Sequence, residues 1–175
     1  GRELRAIPNK VSRLLNSDSA VTAVAERYYG ERFFLYLGRG MGFAVCLEGA
    51  LKLKEISYIP TEAYAAGEMK HGPIALLDQG SPVVVVADDS PTFAKLVSNI
   101  EEVRARGADI IAVASEGNET IAELSRDVLW VPQCDHFLAP ILTVVPLQLL
   151  AYHIAVIKGL NVDQPRNLAK TVTVE

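Results

Sequence analysis

Three charged residues at helical spacing are the part of this sequence whose types could carry out acid/base chemistry. They are Glu48, Lys52 and Glu55, and they lie within the otherwise largely apolar stretch 43–57. At 100° per residue, spacings of i, i+4 and i+7 put them on one stripe about 60° wide. One interpretation is a ladder of helix-stabilising ion pairs, each contributing about 0.2–0.5 kcal/mol. The other is a set of two carboxylates and an ammonium walled in by apolar side chains, whose displaced pKa values would suit proton transfer.

The residues before this stretch predict the elements that position it. Phe33–Leu37 is a continuous apolar run, typical of a strand buried on both faces, and the glycine-rich turn 38–42 follows it. Strand, glycine turn and helix in this order present backbone N–H groups that could bind an anion or a sugar oxygen. The turn does not match a dinucleotide-binding fingerprint, because Phe43 occupies the position of that motif's last glycine.

The segment after the predicted helix, Tyr58–Gly80, contains a histidine in an irregular setting. His71 precedes a Gly-Pro pair in a connection longer than the usual link between a helix and a strand. Such connections tend to carry function. His71 is therefore either a turn residue or, since an accessible histidine titrates near neutrality, a proton shuttle.

Further apolar runs alternate with helical patterns along the rest of the chain. Strands are predicted at 82–87, 109–115 and 128–131, and helices at 90–106, 120–126 and 137–158, after a lead-in of two short helices, Pro8–Leu15 and Ser19–Tyr29. This alternation predicts an α/β fold with three αβα layers, a doubly wound, flavodoxin-like parallel sheet. We expect a single domain, residues 1–159, followed by an extended tail, residues 160–175.

The loops after the predicted strands argue against phosphate binding by this domain alone. Such loops build the binding crevice of a parallel sheet. Two of the three, 88–90 and 115–118, carry carboxylates that would repel a phosphate.

Composition limits the class of protein further. The 175 residues are half apolar and carry a formal net charge of −4 without a Lys/Arg run, which argues against nucleic acid and anionic membranes as partners. Cys46 and Cys134 lack partners at ligand spacing, so we expect no metal, no disulfide and a cytosolic setting. The uncharged run Phe137–Ile157 is long enough to span a bilayer, but its prolines and polar residues favour a core or interface helix.

Two long motifs carry a resemblance to a known family. They are LEGALKLKEISYIPTEAYAAGEMKHGP at 47–73 and VDQPRNLAKTVTVE at 162–175. Together they resemble the last sugar isomerase (SIS) domain and the C-terminal tail of the isomerizing glutamine:fructose-6-phosphate aminotransferases. The likeness runs from about Phe33 to the end of the chain.

The resemblance implies a role for each residue that matches the family's motifs. Glu55 matches the base that moves a proton between C1 and C2 of the open-chain sugar, and His71 matches the histidine that assists ring opening from the neighbouring subunit of a homodimer. Lys170 matches the tail lysine that can form a Schiff base with the sugar ketone. The remaining matches line the pocket for the phosphosugar: Glu48, Lys52 and Ala169. No cofactor is implied.

The sequence also departs from the whole enzyme of that family. It has neither the glutaminase domain with its cysteine nucleophile nor the preceding SIS domain, whose Ser/Thr-rich loop holds the sugar phosphate; both are implied partners. We therefore expect this chain alone to be inactive. Two alternatives stay open: a non-catalytic phosphosugar-binding or dimerisation module, and a fructosamine-6-phosphate deglycase.

Overall fold

A computed structural model describes residues 1–16 and 18–167 of the chain. The five strands are β1 (Phe34–Gly38), β2 (Thr61–Ala65), β3 (Pro82–Ala87), β4 (Asp109–Ser115) and β5 (Asp127–Val131). The helices are α1 (Arg2–Asn16), α2 (Ser19–Tyr28), α3 (Met41–Ser57), α4 (Phe93–Arg104), α5 (Glu119–Leu124) and α6 (Ala139–Ile157). Two short 3₁₀ helices, Ala66–His71 and Pro73–Leu76, follow β2.

All five strands pair in parallel in the order β2-β1-β3-β4-β5. Because successive side chains of a strand point to opposite faces, the continuously apolar strands feed two separate cores. On one face Tyr36 and Val84 pack with α1, α2, α3 and α6. On the other face Leu37 and Val85 pack with α4, α5 and the 3₁₀ helices. The predicted three-layer, doubly wound parallel fold is confirmed.

The strand order fixes where a ligand crevice can form. The chain leaves β1 into α3 on one face and leaves the neighbouring β3 into α4 on the other. The carboxyl ends of β1 and β3 thus flank the point where the winding reverses, which is where ligands bind in open α/β sheets.

Several predicted boundaries were wrong. The segment 58–80, expected to be irregular, contains β2, which pairs with β1 in the register Phe34↔Thr61. Pro8 lies inside α1, which begins at Arg2 rather than at the proline. Helix α4 begins at Phe93 with Thr92 as its N-cap, so Ser90 does not cap it and instead contacts the Thr92 hydroxyl.

Helix α6 accounts for the long uncharged run near the end of the chain. Among the described residues it alone is long and apolar enough to cross a membrane, and half of its most apolar stretch is buried in the domain. Leu142, Leu147, Leu150 and Ile154 are fully buried in the core shared with α3.

Candidate functional site

Glycines fix the start of α3 against the sheet. A Cβ atom on Gly38 would lie 2.5 Å from the backbone of Gly42, and one on Gly42 would lie 3.2 Å from the carbonyl oxygen of Val86 in β3. Gly40, between them, has φ +53°, a conformation that glycine adopts at little cost. The turn therefore holds the first residues of α3 directly against the carboxyl ends of β1 and β3.

A third close approach fixes the rotation of α3 about its own axis. Gly49 faces α6, and a Cβ atom there would lie 2.6 Å from Cδ1 of Leu147. Val45, Cys46, Ala50 and Leu53 are buried on the same side of the helix. With that side held in the core, the stripe of Glu48, Lys52 and Glu55 lies along the margin between the buried and the exposed sides of α3.

The stripe forms the ion pairs that its spacing predicts. The ammonium of Lys52 lies 2.7 Å from Oε2 of Glu55 and 3.8 Å from Oε1 of Glu48. Exposure of the three side chains is 41% for Glu48, 34% for Lys52 and 25% for Glu55. The hydrogen bond to Glu55 is the main reason that the pKa of Lys52 is raised.

Of the two interpretations of this stripe, the one in which apolar side chains wall it in does not describe this chain. Leu47, Leu51 and Lys54 are exposed on α3, so the helix has a solvated side. The structural reason is that α6 and the sheet cover only one side of α3. The stripe is thus an ion-pair ladder whose innermost carboxylate, Glu55, is three-quarters buried.

A hollow of about 410 Å³ lies at the C-terminal end of α3 and includes Glu55. Leu51, Lys54 and Tyr58 line it from the helix, and Arg166 and Asn167 line it from the tail. The described chain thus brings the start of the tail beside the candidate base. Ala169 and Lys170, the two predicted site residues of the tail, lie outside the described residues.

His71 lies on the other side of the sheet from the stripe. It ends the first 3₁₀ helix, which packs through Ala66 and Met69 into the core opposite α3. Its side chain is 70% exposed, and Nδ1 lies 2.7 Å from Oε2 of Glu68. Helix α3 belongs to the first core, so the fold of one chain separates His71 from Glu55 by the thickness of the sheet.

The crevice at the carboxyl ends of β1 and β3 is acidic, as the loop sequences predict. Asp88 is 4% exposed, and desolvation by burial raises the pKa of its carboxyl, partly offset by a hydrogen bond from Ser90. Arg39, the cation of the β1 loop, donates a 2.8 Å hydrogen bond to Asn99 of α4. The positive charge is therefore engaged on the α4 side, and a buried carboxylate occupies the crevice.

Sequence reasoning missed two residues of the hollow, Tyr58 and Arg166. The hydroxyl oxygen of Tyr58 accepts a 3.0 Å hydrogen bond from the backbone N–H of Arg166. The guanidinium carbon of Arg166 lies 4.1 Å from the centre of the Tyr58 ring. Both residues stand inside the two family-like motifs, but no local pattern indicates a contact across 108 positions.

Two comparisons with known proteins, by family model and by sequence, point to the same family. Residues 28–158 match the family model described as "SIS domain". The chain is 59% identical over 174 residues to a glutamine–fructose-6-phosphate aminotransferase (isomerizing) of Thermus thermophilus and 56% identical over 174 residues to one of Chlorobaculum tepidum. These alignments cover 99% of this chain but only 29% and 28% of those proteins.

A solved structure agrees with the sequence matches. The C-terminal domain of glucosamine-fructose-6-phosphate aminotransferase from Francisella tularensis superposes with a TM-score of 0.85 at 40% identity, covering 93% of this chain and 46% of that one. The chain accordingly spans a fraction of the length of the proteins it resembles. Since the family model covers well over half of its residues, the chain belongs to the SIS domain family.

Proposed function

We propose that this chain is the isomerase-site half of a glutamine–fructose-6-phosphate aminotransferase, with Glu55 as the base that moves the substrate proton. The observation that carries the proposal is the hollow at the end of α3, in which Glu55 meets the start of the tail. Residues 1–159 are the domain in this proposal, and residues 160–175 are a tail that completes its active site. The relatives' names supply the substrate class, fructose 6-phosphate and an amine donor.

The proposed reaction needs one base that reaches two adjacent carbons. After ammonia replaces the ketone oxygen and water leaves, the sugar is a 2-imino ketose. Glu55 takes a proton from C1 and returns it at C2, while the C1 hydroxyl loses its proton and the imine nitrogen gains one through solvent, which yields the 2-amino aldose, glucosamine 6-phosphate. A carboxylate on a rigid helix suits this transfer because it serves both carbons from one face of the sugar.

Lys52 supports that base in two ways. Its 2.7 Å hydrogen bond fixes the direction of the Glu55 carboxylate, and its positive charge stabilises the negative charge that develops on the sugar during enolisation. Glu48 lies 3.8 Å from the same ammonium without this direct bond, and it lines an apolar groove with Ile141 and Val144 of α6 rather than the hollow. The three charges of the stripe therefore have different roles in the proposal.

The proposal assigns ring opening to His71 of a second copy in a homodimer. Within one chain His71 lies across the sheet from Glu55, and its 70% exposed side chain is free to reach outward. Glu68, 2.7 Å from Nδ1, leaves Nε2 as the ring nitrogen available to the sugar of the partner. A histidine is suited to this step because it exchanges protons near neutral pH.

The tail supplies the remaining groups of the proposed site. Asn167 lines the hollow beside Glu55, and Lys170 follows three residues later, within about 11 Å of extended chain. Its amine can then form the Schiff base with the sugar ketone that the resemblance implies, releasing water, and ammonia would displace the lysine from that C=N to give the 2-imino ketose. Ala169 would line the pocket. Desolvation in a pocket and neighbouring cations make a lysine easier to deprotonate than one in water, as an attacking amine requires.

The proposed partners follow from the parts that the site needs. The acidic crevice of this domain, with Asp88 buried in it, is unsuited to a phosphate, so a preceding SIS domain would hold that group. A glutaminase domain would supply ammonia. We assign the enzyme to the cytoplasm, in keeping with two cysteines that are unpaired and, at Cys46, fully buried.

The test is Glu55→Gln in the full-length polypeptide that contains this chain. Gln keeps the size of the side chain but lacks a basic oxygen, so we expect kcat for glucosamine 6-phosphate formation to fall by about 10²–10⁴-fold with KM nearly unchanged. Glutamine hydrolysis, measured separately, should persist. Glu101→Gln, on the solvent side of α4, is the matched control. Isomerisation by Glu55→Gln at the wild-type rate would overturn the assignment, and the base would then be sought elsewhere, with Glu48 the next candidate.

A further inference from the structure

Tyr58 holds the start of the tail by two separate contacts with one residue. Its hydroxyl accepts the backbone N–H of Arg166 at 3.0 Å, and its ring lies under the Arg166 guanidinium at 4.1 Å. One contact engages the main chain of the tail and the other a side chain. The pair therefore restricts both the position and the direction of the tail at Arg166.

The backbone around this contact is unusual. Among the described residues, Tyr58 and Asn167 are the two non-glycine residues with positive φ, both at +62°. Both line the hollow that contains Glu55. Residues in sparsely populated backbone regions persist where the surrounding structure holds them and are concentrated at functional sites.

Helix geometry alone does not require a tyrosine at position 58. Tyr58 ends α3 in the left-handed conformation, and its backbone N–H bonds to the carbonyl of Lys54 at 3.2 Å. Glycine makes the same termination without the steric cost that a Cβ brings. We therefore attribute the tyrosine side chain at this position to the contacts that it makes with Arg166 of the tail.

Hydrogen bonds within the tail hold the segment before Arg166, and Tyr58 contacts the tail at Arg166. Oδ1 of Asn161 accepts the backbone N–H groups of Asp163 and Gln164 at 3.0 and 3.1 Å, which closes a turn after α6. Pro165 then restricts the backbone. At Arg166, the side chain of Tyr58 holds the tail at the end of α3.

We propose that Tyr58 is a positioning residue that clamps the tail at Arg166, so that Lys170 is delivered to the hollow beside Glu55. This inference rests on the proposed function for the role of Lys170. The clamp lies four residues before the lysine, about 14 Å of chain at full extension. Without it, the nearest described contacts that hold the tail are the backbone hydrogen bonds to Asn161, which lie farther from Lys170 along the chain.

Three variants separate the parts of the clamp in the full-length polypeptide. Tyr58→Gly removes both contacts while favouring the left-handed backbone, so the end of α3 is not weakened. Tyr58→Phe removes the hydroxyl and keeps the ring, and Arg166→Gln removes the guanidinium and keeps the backbone N–H. Tyr29→Phe, an exposed tyrosine just after α2, is the matched control.

Two measurements report on the clamp. Hydrogen exchange of the Arg166 amide follows the docking of the tail directly. Trapping with cyanoborohydride in the presence of fructose 6-phosphate follows delivery of the lysine: the Lys170 amine and the ketone lose water to form C=N, and the reagent's hydride with a solvent proton reduces it to a stable secondary amine. Mass spectrometry locates the added sugar.

In Tyr58→Gly we expect Arg166 amide exchange about tenfold faster and Lys170 trapping about tenfold slower, consistent with losing one hydrogen bond and one cation–π contact. The melting temperature should stay the same or rise. Tyr58→Phe and Arg166→Gln should give smaller changes, and Tyr29→Phe none.

If Tyr58→Gly exchanges its Arg166 amide as slowly as the wild type and traps Lys170 as fast, the clamp is overturned and the proposed function is left intact. If wild-type Lys170 is not trapped at all, its proposed role fails instead, and unchanged Arg166 exchange in the glycine variant still decides against the clamp.

Discussion

Lys52 hydrogen-bonds Glu55 at 2.7 Å and is therefore committed to one of the two carboxylates that flank it on α3. Glu48 lies 3.8 Å from the same ammonium and is more exposed. Since an i, i+3 neighbour and an i, i+4 neighbour both lie within reach on a helix, the sequence could not choose between them. The observed geometry therefore favours Glu55 over Glu48 as the proposed base.

Replacing Lys52 tests this relationship through stability and through catalysis. Lys52→Met should lower the free energy of unfolding by no more than about 0.5 kcal/mol at pH 7, because the pair is partly solvated. The folded-state pKa of Lys52 is raised, so its contribution is fully present below the ordinary value of 10.5 and is lost as pH rises through the folded value. Denaturant titrations between pH 7 and 11 measure the difference from wild type.

The same variant should slow isomerisation and move its pH profile in the full-length enzyme, because Glu55 loses both its orienting bond and its neighbouring positive charge. Lys95→Met, an exposed lysine on α4, is the control for removing one positive charge. A Lys52→Met profile that superposes on wild type would restrict the stripe to a structural ladder.

The parts of the fold that the sequence predicted are those with strong local signals. Strands β1, β3 and β4 are buried on both faces, which their continuous apolar runs indicate. Strand β2 gives no such run, because it is an edge strand whose Glu62 and Tyr64 stand partly in solvent. Its pairing with β1 depends on the tertiary structure, so no local stretch of sequence indicates it.

The candidate site was predictable where it lies on one helix and not where it depends on distant parts. Spacing alone placed Glu48, Lys52 and Glu55 on a single stripe. The sequence could not show that His71 lies across the sheet from them, since this depends on which face each connection takes. Nor could it show that Tyr58 meets Arg166, because that contact joins positions 108 residues apart.

Asp88 offers a test of the acidic crevice by pH. Burial raises the pKa of its carboxyl above the ordinary 3.8, so the charged form costs stability at neutral pH, and this cost disappears as pH falls below the unfolded value. Asp88→Asn should therefore raise the free energy of unfolding at pH 7, and its advantage should shrink toward pH 4. Chemical denaturation at both pH values measures this. Asp78→Asn, at an exposed aspartate that does not act on Asp88, is the control; an advantage of Asp88→Asn independent of pH would contradict this prediction.

The close approach of α3 to α6 should be sensitive to a single methyl group. In Gly49→Ala the new Cβ would lie 2.6 Å from Cδ1 of Leu147 and 3.0 Å from Cε1 of Tyr36. Overpacking of this kind costs about 1–3 kcal/mol, more than the roughly 1 kcal/mol that alanine gains over glycine in a helix. We expect a net loss of stability by denaturant titration, partly recovered by adding Leu147→Val. A Gly49→Ala protein as stable as wild type would show that the two helices are not held this closely.

An apolar groove between α3 and α6 predicts self-association, as the proposed homodimer requires. The groove has a volume of about 410 Å³, and its lining includes Val45, Ile141 and Val144. Ile141 is 42% exposed and Phe137, two residues before α6, is 71% exposed, more apolar surface than a single small domain needs to leave uncovered.

Ile141→Glu should shift the purified chain toward monomer in light scattering, because a charge would be buried against apolar side chains of the partner. Leu15→Glu introduces the same charge at a site that is 53% exposed on α1 and lies outside the lining of the groove, and it should leave the mass unchanged. A wild-type chain that stays monomeric at high concentration would contradict association through this groove. Equal loss of association in both variants would instead indicate that the interface does not lie at the groove between α3 and α6.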